Sequence, residues 1–579
     1  MGQIVIPLEP VFITASRLYS NVGADTREIL LLDKTDIARL PVQSTEELLQ
    51  YIGAVGTAKR GQGNIQSDYS LRGSSFEQVL VMVDGIRMNN PQTGHHNCNL
   101  PVLLSQVQRV EVMPGHGSAL YGPDSFGGVI HIITHVPERN QSTLECMGGS
   151  FNTWTARFSQ ALQLDNTITQ LGIEKQQSDG YRFDTDYDIW RLTGRTQLDW
   201  GNKSFTLSTG FLDKDFGANG FYADTPSYES TQALDGQASF QWYSHSKQTV
   251  KADLYFNRHK DHFILDIDHP TWYQANHTTW TKGFRISSSY QLARKKEVAF
   301  GYEIFEESIK SDQLGNHNRY RQGLFGEIAF PISCRANFHS GIRIDHQDQL
   351  GWEVNPTLGL RYHFNSHVGW RISAGRAYRT PSFIELYNPS PMNAGNPALY
   401  PEYAWCGETG FSFSNSLIQF EITAFLRDEK DRIDWIRYSS HDPWQVTNVG
   451  NLRQTGFSLS FQNSSSHDFT FQTDYTFLHH EHSNLSGAES KYLHIAPRHH
   501  IVFRGGYHWR KRVQLSIIWD FSDRFSEGFL YLIDSKLIIP RKHFMYHIDV
   551  NNLFNIQYEE IPHCPMPGRQ IRAGMTFKK

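Results

Sequence analysis

The chain has 579 residues, a formal net charge of −5, 13% aromatic residues and a mean hydropathy of −0.48. This length exceeds one ordinary globular core, so we expect two or more domains or one very large closed sheet. The balanced charge and the lack of a basic stripe argue against nucleic acid as the main partner. No run of ~18 apolar residues predicts a transmembrane helix, but a membrane β-barrel would share this hydropathy because only alternate residues face lipid.

Other simple signals exclude more classes. The five cysteines are widely spaced, with no CxxC pair and no zinc-type spacing, so we expect scattered structural or free thiols. Residues 1–6 lack the basic and apolar regions of a secretory signal, and we expect a processed or re-engineered N-terminus. No catalytic motif with supporting context is found, so we expect neither an enzyme nor a resident organic cofactor.

The N-terminal quarter predicts a small domain of short strands. Residues 29–32 predict a strand, Ser44 and Glu47 form a capping-box pattern before a two-turn helix ending near Gly53, and residues 62–68 predict a loop. Val/Ile-rich runs bounded by turn residues predict further strands at residues 79–83, 107–113 and 129–133. On pattern alone, this stretch could be an ordinary small α/β or α+β domain.

The sequence motifs of this region are more specific than its pattern of strands and turns. The motifs are Arg72-Gly73, Asp84-Gly85, RVEV at 109–112, SALYG at 118–122 and GGVIHIIT at 127–134. They resemble the plug domain of TonB-dependent outer-membrane receptors. Pro114 and His131 depart from the commonest residues of that pattern, which have Arg and Asn at these places, without removing the strands or turns.

A short extended segment precedes this region. By itself it could be the first strand of the plug, or an exposed segment that adds to the sheet edge of another protein. The family resemblance favours the second interpretation, because the segment is similar to a TonB box, which would bind the periplasmic protein TonB. Its residues are Glu9, Pro10, Val11, Phe12, Ile13, Thr14 and Ala15.

From about Ser142 to the C-terminus, strands with period-two alternation recur, as at residues 205–211 and 469–475. Ten tight turns are predicted near residues 165–166, 201–202, 246–247, 295–296, 333–334, 365–366, 415–416, 464–465, 510–511 and 540–541. Twice the turns plus two gives roughly 22 strands, a barrel wide enough to hold a plug. We therefore predict a membrane all-β fold: a 22-stranded antiparallel transmembrane β-barrel occluded by an N-terminal α+β plug.

Two further stretches resemble the same family, at residues 377–402 and 549–577, so the resemblance spans residues 9–577. Lys578 and Lys579 follow Phe577, although the closing strand in this family normally ends on an aromatic residue. We expect an N-terminal segment at residues 1–20, a plug at 21–138 and a barrel at 142–579. The resemblance implies location in the outer membrane of a Gram-negative bacterium.

Candidate ligand contacts follow from two kinds of loop. Two adjacent histidines could bind a metal or a metal-bearing ligand, or could belong to an ordinary hydrogen-bonded loop. Aromatic loop segments could line a vestibule or lie at the membrane interface. The family places the histidine loop at the outward apex of the plug. The substrate candidates are Asn90, Gln92, His95, His96, Asn97, Phe221, Tyr222, Trp272, Tyr273, Tyr387 and Asn393.

One acidic loop offers oxygen ligands at alternate positions, the chemistry that calcium prefers. Solvated surface charge is the alternative interpretation. The candidate structural calcium ligands are Asp179, Asp184, Asp186 and Asp188.

The resemblance implies active import of a scarce, bulky nutrient, energised by TonB and its inner-membrane complex. Other expected partners are outer-membrane lipid, a small metal-bearing ligand and a candidate surface lipoprotein. The sequences at residues 122–128, 94–97 and 216–222 are most similar to those of receptors for cobalamin or related corrinoids, with ferric-siderophore receptors as the alternative. Haem is disfavoured because residues 388–394 contain no histidine. A passive porin and an adhesin are the rivals from other classes.

Overall fold

The computed structural model describes residues 14, 16–18, 26–137, 139–223, 225–244, 247–292, 296–348, 350–390, 392–463, 468–482, 487–492, 496–510, 512–524 and 528–579. No helix among these residues is long and apolar enough to cross a bilayer.

The C-terminal three quarters form one closed antiparallel barrel of 22 strands. The first thirteen barrel strands are β8 (Gln141–Gly149), β9 (Thr153–Leu164), β10 (Thr167–Ser178), β11 (Tyr187–Trp200), β12 (Lys203–Gly217), β13 (Tyr228–Tyr243), β14 (Gln248–Ile264), β15 (Gln274–Gln291), β16 (Glu297–Ser311), β17 (Gly315–Ser333), β18 (Ala336–Gln347), β19 (Gly351–His363) and β20 (Val368–Arg379). The other nine are β22 (Glu402–Ser414), β23 (Ile418–Lys430), β26 (Leu452–Asn463), β27 (Phe469–His482), β29 (Pro497–Trp509), β30 (Val513–Arg524), β31 (Gly528–Pro540), β32 (Phe544–Asn551) and β33 (Gln570–Lys578). Pairing of β33 with β8 closes the barrel and leaves no free edge.

The barrel wall is apolar outside and polar inside, as alternation along each strand requires. Leu254 and Leu324 face outward with 62% and 58% of their surface exposed, whereas Arg343 and Asn355 face the lumen and are fully buried. The ten predicted turns coincide with the ends of consecutive barrel strands, and the predicted strand number is confirmed. Of the predicted turn residues, 246, 295, 464, 465 and 511 lie outside the described residues.

The lumen is filled by a plug, defined here as strands β1–β7 with helices α1 and α2. Its elements are β1 (Leu30–Asp33), α1 (Lys34–Arg39), β2 (Val55–Arg60), β3 (Gln66–Leu71), β4 (Val79–Val83), β5 (Ile86–Arg87), β6 (Val107–Pro114), α2 (Ser118–Tyr121) and β7 (Gly128–Thr134), with 3-10 helices at Glu46–Tyr51, Gln62–Asn64, Phe76–Gln78, Gly94–Cys98, Leu104–Gln106 and Pro123–Ser125. Five strands form a mixed sheet in the order β1-β6-β7-β4-β5, and β2 pairs with β3. The two faces of the sheet pack into separate buried clusters: Val79 and Val81 lie in one, and Leu80 and Met82 lie in the other.

The predicted two-turn helix is present as the 3-10 helix Glu46–Tyr51, but its predicted capping box is incomplete: Ser44 Oγ accepts from the Glu47 N–H at 3.3 Å, and the Glu47 carboxylate accepts from the Gln43 N–H at 2.8 Å. One local prediction in the plug was wrong. Residues 66–68 belong to β3 rather than to a loop. A strand that faces a polar lumen carries polar residues, so its composition resembles that of a loop.

Buried ion pairs hold the plug against the barrel wall. Arg72 of the plug pairs with Glu28 and with Glu408 of β22, the latter at 2.9 Å. Arg191 of β11 bridges Glu46 of the plug at 2.9 Å and Glu174 of the wall at 2.6 Å. Buried charges require such partners because an isolated one is strongly unfavourable, so these pairs bind the plug to the wall.

Seven of the eleven connections at the end opposite the ten turns have eight or more residues, and several connections at this end carry their own structure. They contain the 3-10 helix Ser150–Asn152, helix α3 (Phe383–Tyr387) and the short strands β21 (Asn393–Ala394), β24 (Ile433–Arg437), β25 (Trp444–Asn448) and β28 (Glu489–Ser490). The four strands form one small sheet above the lumen, in the order β21-β25-β24-β28.

Candidate functional site

The long connections identify the outward end of the barrel, because membrane barrels have short turns on the periplasmic side and longer loops outside. The 3-10 helix Gly94–Cys98 of the plug lies at this end. Its neighbour Glu229 is the second residue of β13, and its neighbour Asp261 is three residues from the outward end of β14. The histidine loop is therefore at the outward apex of the plug.

Local hydrogen bonds fix this apical loop. Asn97 Oδ1 accepts from the Asn90 N–H at 3.0 Å, Thr93 Oγ1 accepts from the His95 N–H at 3.4 Å, and Glu77 accepts from the Gly94 N–H at 2.9 Å. Short polar side chains that satisfy backbone N–H groups stabilise such turns. Asn90 and Asn97 thus shape the loop, while the loop presents His95 and His96 to different neighbours.

His95 lies in an aromatic cluster, defined here as His95 with Phe76, Tyr222 and Tyr492. Its ring stacks on Phe76 at 4.3 Å and meets the two tyrosine rings edge-on at 6.3 Å. Its Nδ1 is 2.6 Å from Asp68 Oδ1. Burial lowers the pKa of His95, so the neutral ring donates its N–H to this carboxylate.

Asp68 holds the aromatic cluster in position by pairing with a second group, the guanidinium of Arg60 at 2.8 Å. Burial alone would raise the pKa of Asp68, but the charge of Arg60 outweighs it and holds that pKa at about 2. Arg60 also lies 5.8 Å from the centre of the Tyr222 ring, a cation–π distance. The cluster is thus supported by a charged pair directly beneath it.

His96 points instead at the barrel wall. Its ring nitrogens lie 3.8 Å from Glu229 and 3.6 Å from Asp261, and its ring centre lies 4.5 Å from that of His259. Burial lowers the pKa of His96, but these two carboxylates outweigh it and raise the pKa above the usual value. Gln92 Nε2 donates to Asp261 at 3.4 Å, so this predicted residue joins the same group.

The predicted aromatic contact residues lie in different environments. Tyr222 belongs to the aromatic cluster and donates to Glu229 at 3.1 Å. Its ring contacts that of Phe263, which in turn contacts the ring of Tyr273. Phe221 is buried among wall residues. Trp272 is 64% exposed and stacks on His269 at 4.2 Å, so it lies on the outer surface of its loop.

The last two substrate candidates lie at other places in the outer loops. Tyr387 stacks on His317 at 3.6 Å, beside α3. Asn393 begins β21 and accepts from Lys491 Nζ at 3.4 Å. Lys491 is also 5.5 Å from the Tyr492 ring, so Asn393 connects with the aromatic cluster through this lysine.

The structure does not gather the four predicted calcium ligands. Asp188 pairs with Lys175, and Asp179 accepts from Asn152 Nδ2 at 2.9 Å. Burial and the neighbouring Asp186 raise the pKa of Asp184 to about 6. Across the described residues, the one group of three or more His, Cys, Asp or Glu whose ligand atoms lie within 4.8 Å of each other is His96, Glu229 and Asp261.

The inward end of the plug holds the one described residue of the predicted TonB box; Glu9 to Ile13 and Ala15 lie outside the described residues. Thr14 is fully buried, and its Oγ1 and N–H donate to Glu111 at 2.6 and 2.9 Å. Its carbonyl accepts from the Tyr121 hydroxyl at 3.0 Å. Its Oγ1 also lies 3.0 Å from His131 Nδ1. This part of the segment is tied to the plug sheet.

Sequence reasoning missed the partners of the two histidines: Asp68 of plug strand β3, Tyr492 of an outer connection, and the wall residues Glu229, His259 and Asp261. The wall residues and Tyr492 reach the apex from parts of the chain that are distant in sequence. Glu229, His259 and Asp261 do carry one local signal: they are charged or ionisable residues at alternate, lumen-facing positions near the outward ends of β13 and β14.

Comparison with known proteins agrees with this architecture. A model of the TonB-dependent receptor-like β-barrel matches residues 137–534, and a model of the TonB-dependent receptor plug domain matches residues 25–129. The vitamin B12 transporter BtuB of Vibrio vulnificus (strain YJ016) is 23% identical over 489 residues, covering 79% of this chain and 76% of the relative. BtuB of Vibrio cholerae serotype O1 (strain M66-2) is 25% identical over 480 residues, with the same coverage of 79% and 76%.

Solved structures share the fold at lower identity. The siderophore receptor PirA from Acinetobacter baumannii superposes with a TM-score of 0.83 at 15% identity, covering 98% of this chain and 100% of that one. A mutant of the ferric enterobactin receptor PfeA from Pseudomonas aeruginosa, in complex with enterobactin, gives 0.80 at 15% identity, covering 95% and 99%. The two family models together span the plug and most of the barrel, and the chain therefore belongs to the TonB-dependent receptors, outer-membrane transporters that are not enzymes.

Proposed function

We propose that this receptor imports cobalamin or a related corrinoid, driven by TonB. The observation that carries the proposal is the similarity to vitamin B12 transporters, at 23–25% identity over 77–79% of this chain. A match over 77–79% of this chain is longer than the barrel alone, so it includes part of the plug. The likeness to siderophore receptors is at 14–16% identity and supports the fold alone.

The apex chemistry is compatible with a corrinoid, which combines a large flat ring with amide side chains. Stacked and edge-on rings in the aromatic cluster suit the flat apolar face. Asn90 Nδ2 and Gln92 Oε1 are buried beside it without a hydrogen-bond partner, and such amide groups pair well with ligand amides. We infer that ligand contacts the aromatic cluster and the exposed aromatics of the outer loops, including Trp272.

Energy must be supplied because the plug fills the lumen. We propose that residues 9–15 form the TonB-binding segment, residues 21–138 the plug and residues 142–579 the barrel. The contacts of Thr14 with Glu111 support a segment that is docked on the plug sheet and can be drawn away from it. A pull transmitted through β6 and β7 would then reach the rest of the plug sheet, to which both strands are paired.

A ferric siderophore is the second candidate. Lys491 and Arg60 both lie within cation–π distance of rings in the aromatic cluster, at 5.5 and 5.8 Å, and cations of this kind attract anionic ferric chelates. Arg60 is already paired with Asp68, which leaves Lys491 as the group that favours this alternative.

A binding panel on the purified full-length protein tests the proposal. We expect cyanocobalamin and cobinamide to bind, and ferric catecholates and hydroxamates not to bind. Tyr492→Ala should weaken corrinoid binding by about 5- to 10-fold, since one aromatic contact contributes about 1 kcal/mol. Tyr531→Ala is the matched control and should bind normally, because Tyr531 lies on the exterior, lipid-facing side of β31. Binding of ferric chelates without corrinoid binding would overturn the substrate assignment and leave the family unchanged.

A further inference from the structure

The contact between plug apex and barrel wall contains an unusual set of buried groups. His96 of the plug faces Glu229 of β13 and Asp261 of β14, and the three are 6%, 2% and 7% exposed. Their ligand atoms all lie within 4.8 Å of each other. One imidazole and two carboxylates are thus enclosed together, away from water.

These groups do not satisfy one another. The nitrogen–oxygen separations of 3.8 and 3.6 Å are longer than hydrogen bonds, and Asp261 Oδ1 has no hydrogen-bond partner. Buried polar atoms in proteins are nearly always paired. Two ionised carboxylates and one imidazole carry negative charge, which the nearby ammonium of Lys214 offsets in part.

The ligand atoms are close enough for a small metal ion after a modest rearrangement. The 3.8 and 3.6 Å contacts start from opposite nitrogens of the His96 ring, Nδ1 and Nε2, and only one of these can bind a given ion. With one ligand atom from each residue, the three atoms lie within 4.8 Å of each other. Ligands at ~2.1 Å around a tetrahedral ion lie ~3.4 Å apart, so binding would move the side chains inward by up to about 1.4 Å. The ion pairs of Arg72 and Arg191 differ, because their carboxylates are already neutralised by an arginine.

A fourth candidate ligand lies beside His96. The His259 ring centre is 4.5 Å from that of His96, and its buried Nδ1 has no hydrogen-bond partner. Its Nε2 contacts the Asn99 amide at 2.8 Å, which fixes the ring in the way that outer groups commonly orient metal-binding histidines. Lys214 donates to Asn99 Oδ1 at 2.5 Å and also interacts electrostatically with His96 and His259.

We propose that His96, Glu229, Asp261 and His259 bind a single divalent transition-metal ion that joins the plug apex to the barrel wall. Imidazole with carboxylate ligands suits Zn²⁺ and Co²⁺, whereas Ca²⁺ and Mg²⁺ prefer oxygen ligands alone. Its ligands differ from the proposed corrinoid contacts, although Tyr222 and Gln92 donate hydrogen bonds to Glu229 and Asp261. Because His96 belongs to the plug and the other three belong to the wall, any plug movement that separates them must release the ion.

Metal titration of the chelator-treated, full-length protein in detergent tests this proposal. We expect one equivalent of Co²⁺ to bind and to give the visible absorption of a low-coordinate site with nitrogen and oxygen ligands, and Zn²⁺ to displace it. Ca²⁺ should not displace it. His96→Gln and Asp261→Asn should each weaken Zn²⁺ binding at least about tenfold, the scale of effect seen when metal sites lose supporting groups.

His317→Gln is the matched control, because His317 is another outer-lumen histidine but stacks on Tyr387 and contacts the Leu314 carbonyl. It should bind Zn²⁺ as the parent does. Circular-dichroism melting of each variant identifies any that misfolds, and Glu229→Gln then replaces it. Absence of stoichiometric binding, or binding unchanged in both ligand variants, would overturn the proposal. Corrinoid binding is measured on the same samples, so failure of the metal site and failure of the proposed cargo are separate results.

Discussion

The two ends of the plug are held in different ways. At the outward end, His95 and His96 meet the wall and outer loops through groups that retain unused hydrogen-bonding capacity, such as Asp261 Oδ1. At the inward end, the N–H, hydroxyl and carbonyl of Thr14 all bond to Glu111 or Tyr121 of the plug. The outward end of the plug is therefore suited to bind a ligand, whereas the inward end encloses a segment that must be released.

Arg72 joins the plug to the barrel wall through its buried ion pairs, and its loss should have the largest effect on stability. Arg72→Ala leaves Glu28 and Glu408 buried without their cation, which should cost about 3–5 kcal/mol. Hydrogen exchange of plug amides should accelerate, and cells should become permeable to large antibiotics. Arg453→Ala is the control, since Arg453 and Asp428 are about half exposed and such pairs contribute about 0–1 kcal/mol. Equal effects of the two variants would contradict a plug held by buried ion pairs.

Glu111→Gln should loosen the inward end alone. The substitution weakens the bonds from Thr14, and hydrogen bonds to charged groups contribute about 1.5–3 kcal/mol. Tryptic cleavage after Arg17, which donates to the Leu120 carbonyl at 3.0 Å, should therefore become about 10-fold faster, while corrinoid affinity stays constant. Glu489→Gln, in an exposed pair, provides the control. A change in corrinoid affinity without faster cleavage would show that the two ends are not separable in this way.

The pH dependence of stability should reveal a smaller effect at the outward end. Burial and the nearby Glu385 raise the pKa of Glu77 from 4.5 to about 8. Its contribution to stability is therefore complete below pH 4.5 and is lost as the pH rises through about 8. Melting temperature measured across this interval should fall with increasing pH, and Glu77→Gln should flatten the slope. An unchanged slope in that variant would assign the pH response to another group.

The barrel could be predicted from the sequence because its signals are local. Alternation and turn dipeptides such as Asp165-Asn166 act within a few residues, and all ten turns lie between neighbouring strands. β3 was missed because a strand facing a polar lumen has the composition of a loop. The wall residues of the site were missed for a different reason: Asp261 is far from His96 in sequence, and only closure of the barrel around the plug brings them within 3.6 Å.

Import of a corrinoid by means of TonB can be measured as uptake of radiolabelled cyanocobalamin by cells that express the full-length protein in place of their own receptor, with and without TonB. We expect accumulation against the concentration gradient in cells with TonB, and surface binding without accumulation in cells that lack it. Equal accumulation in both strains, or no cyanocobalamin uptake in either, would show that this receptor does not import a corrinoid with energy from TonB.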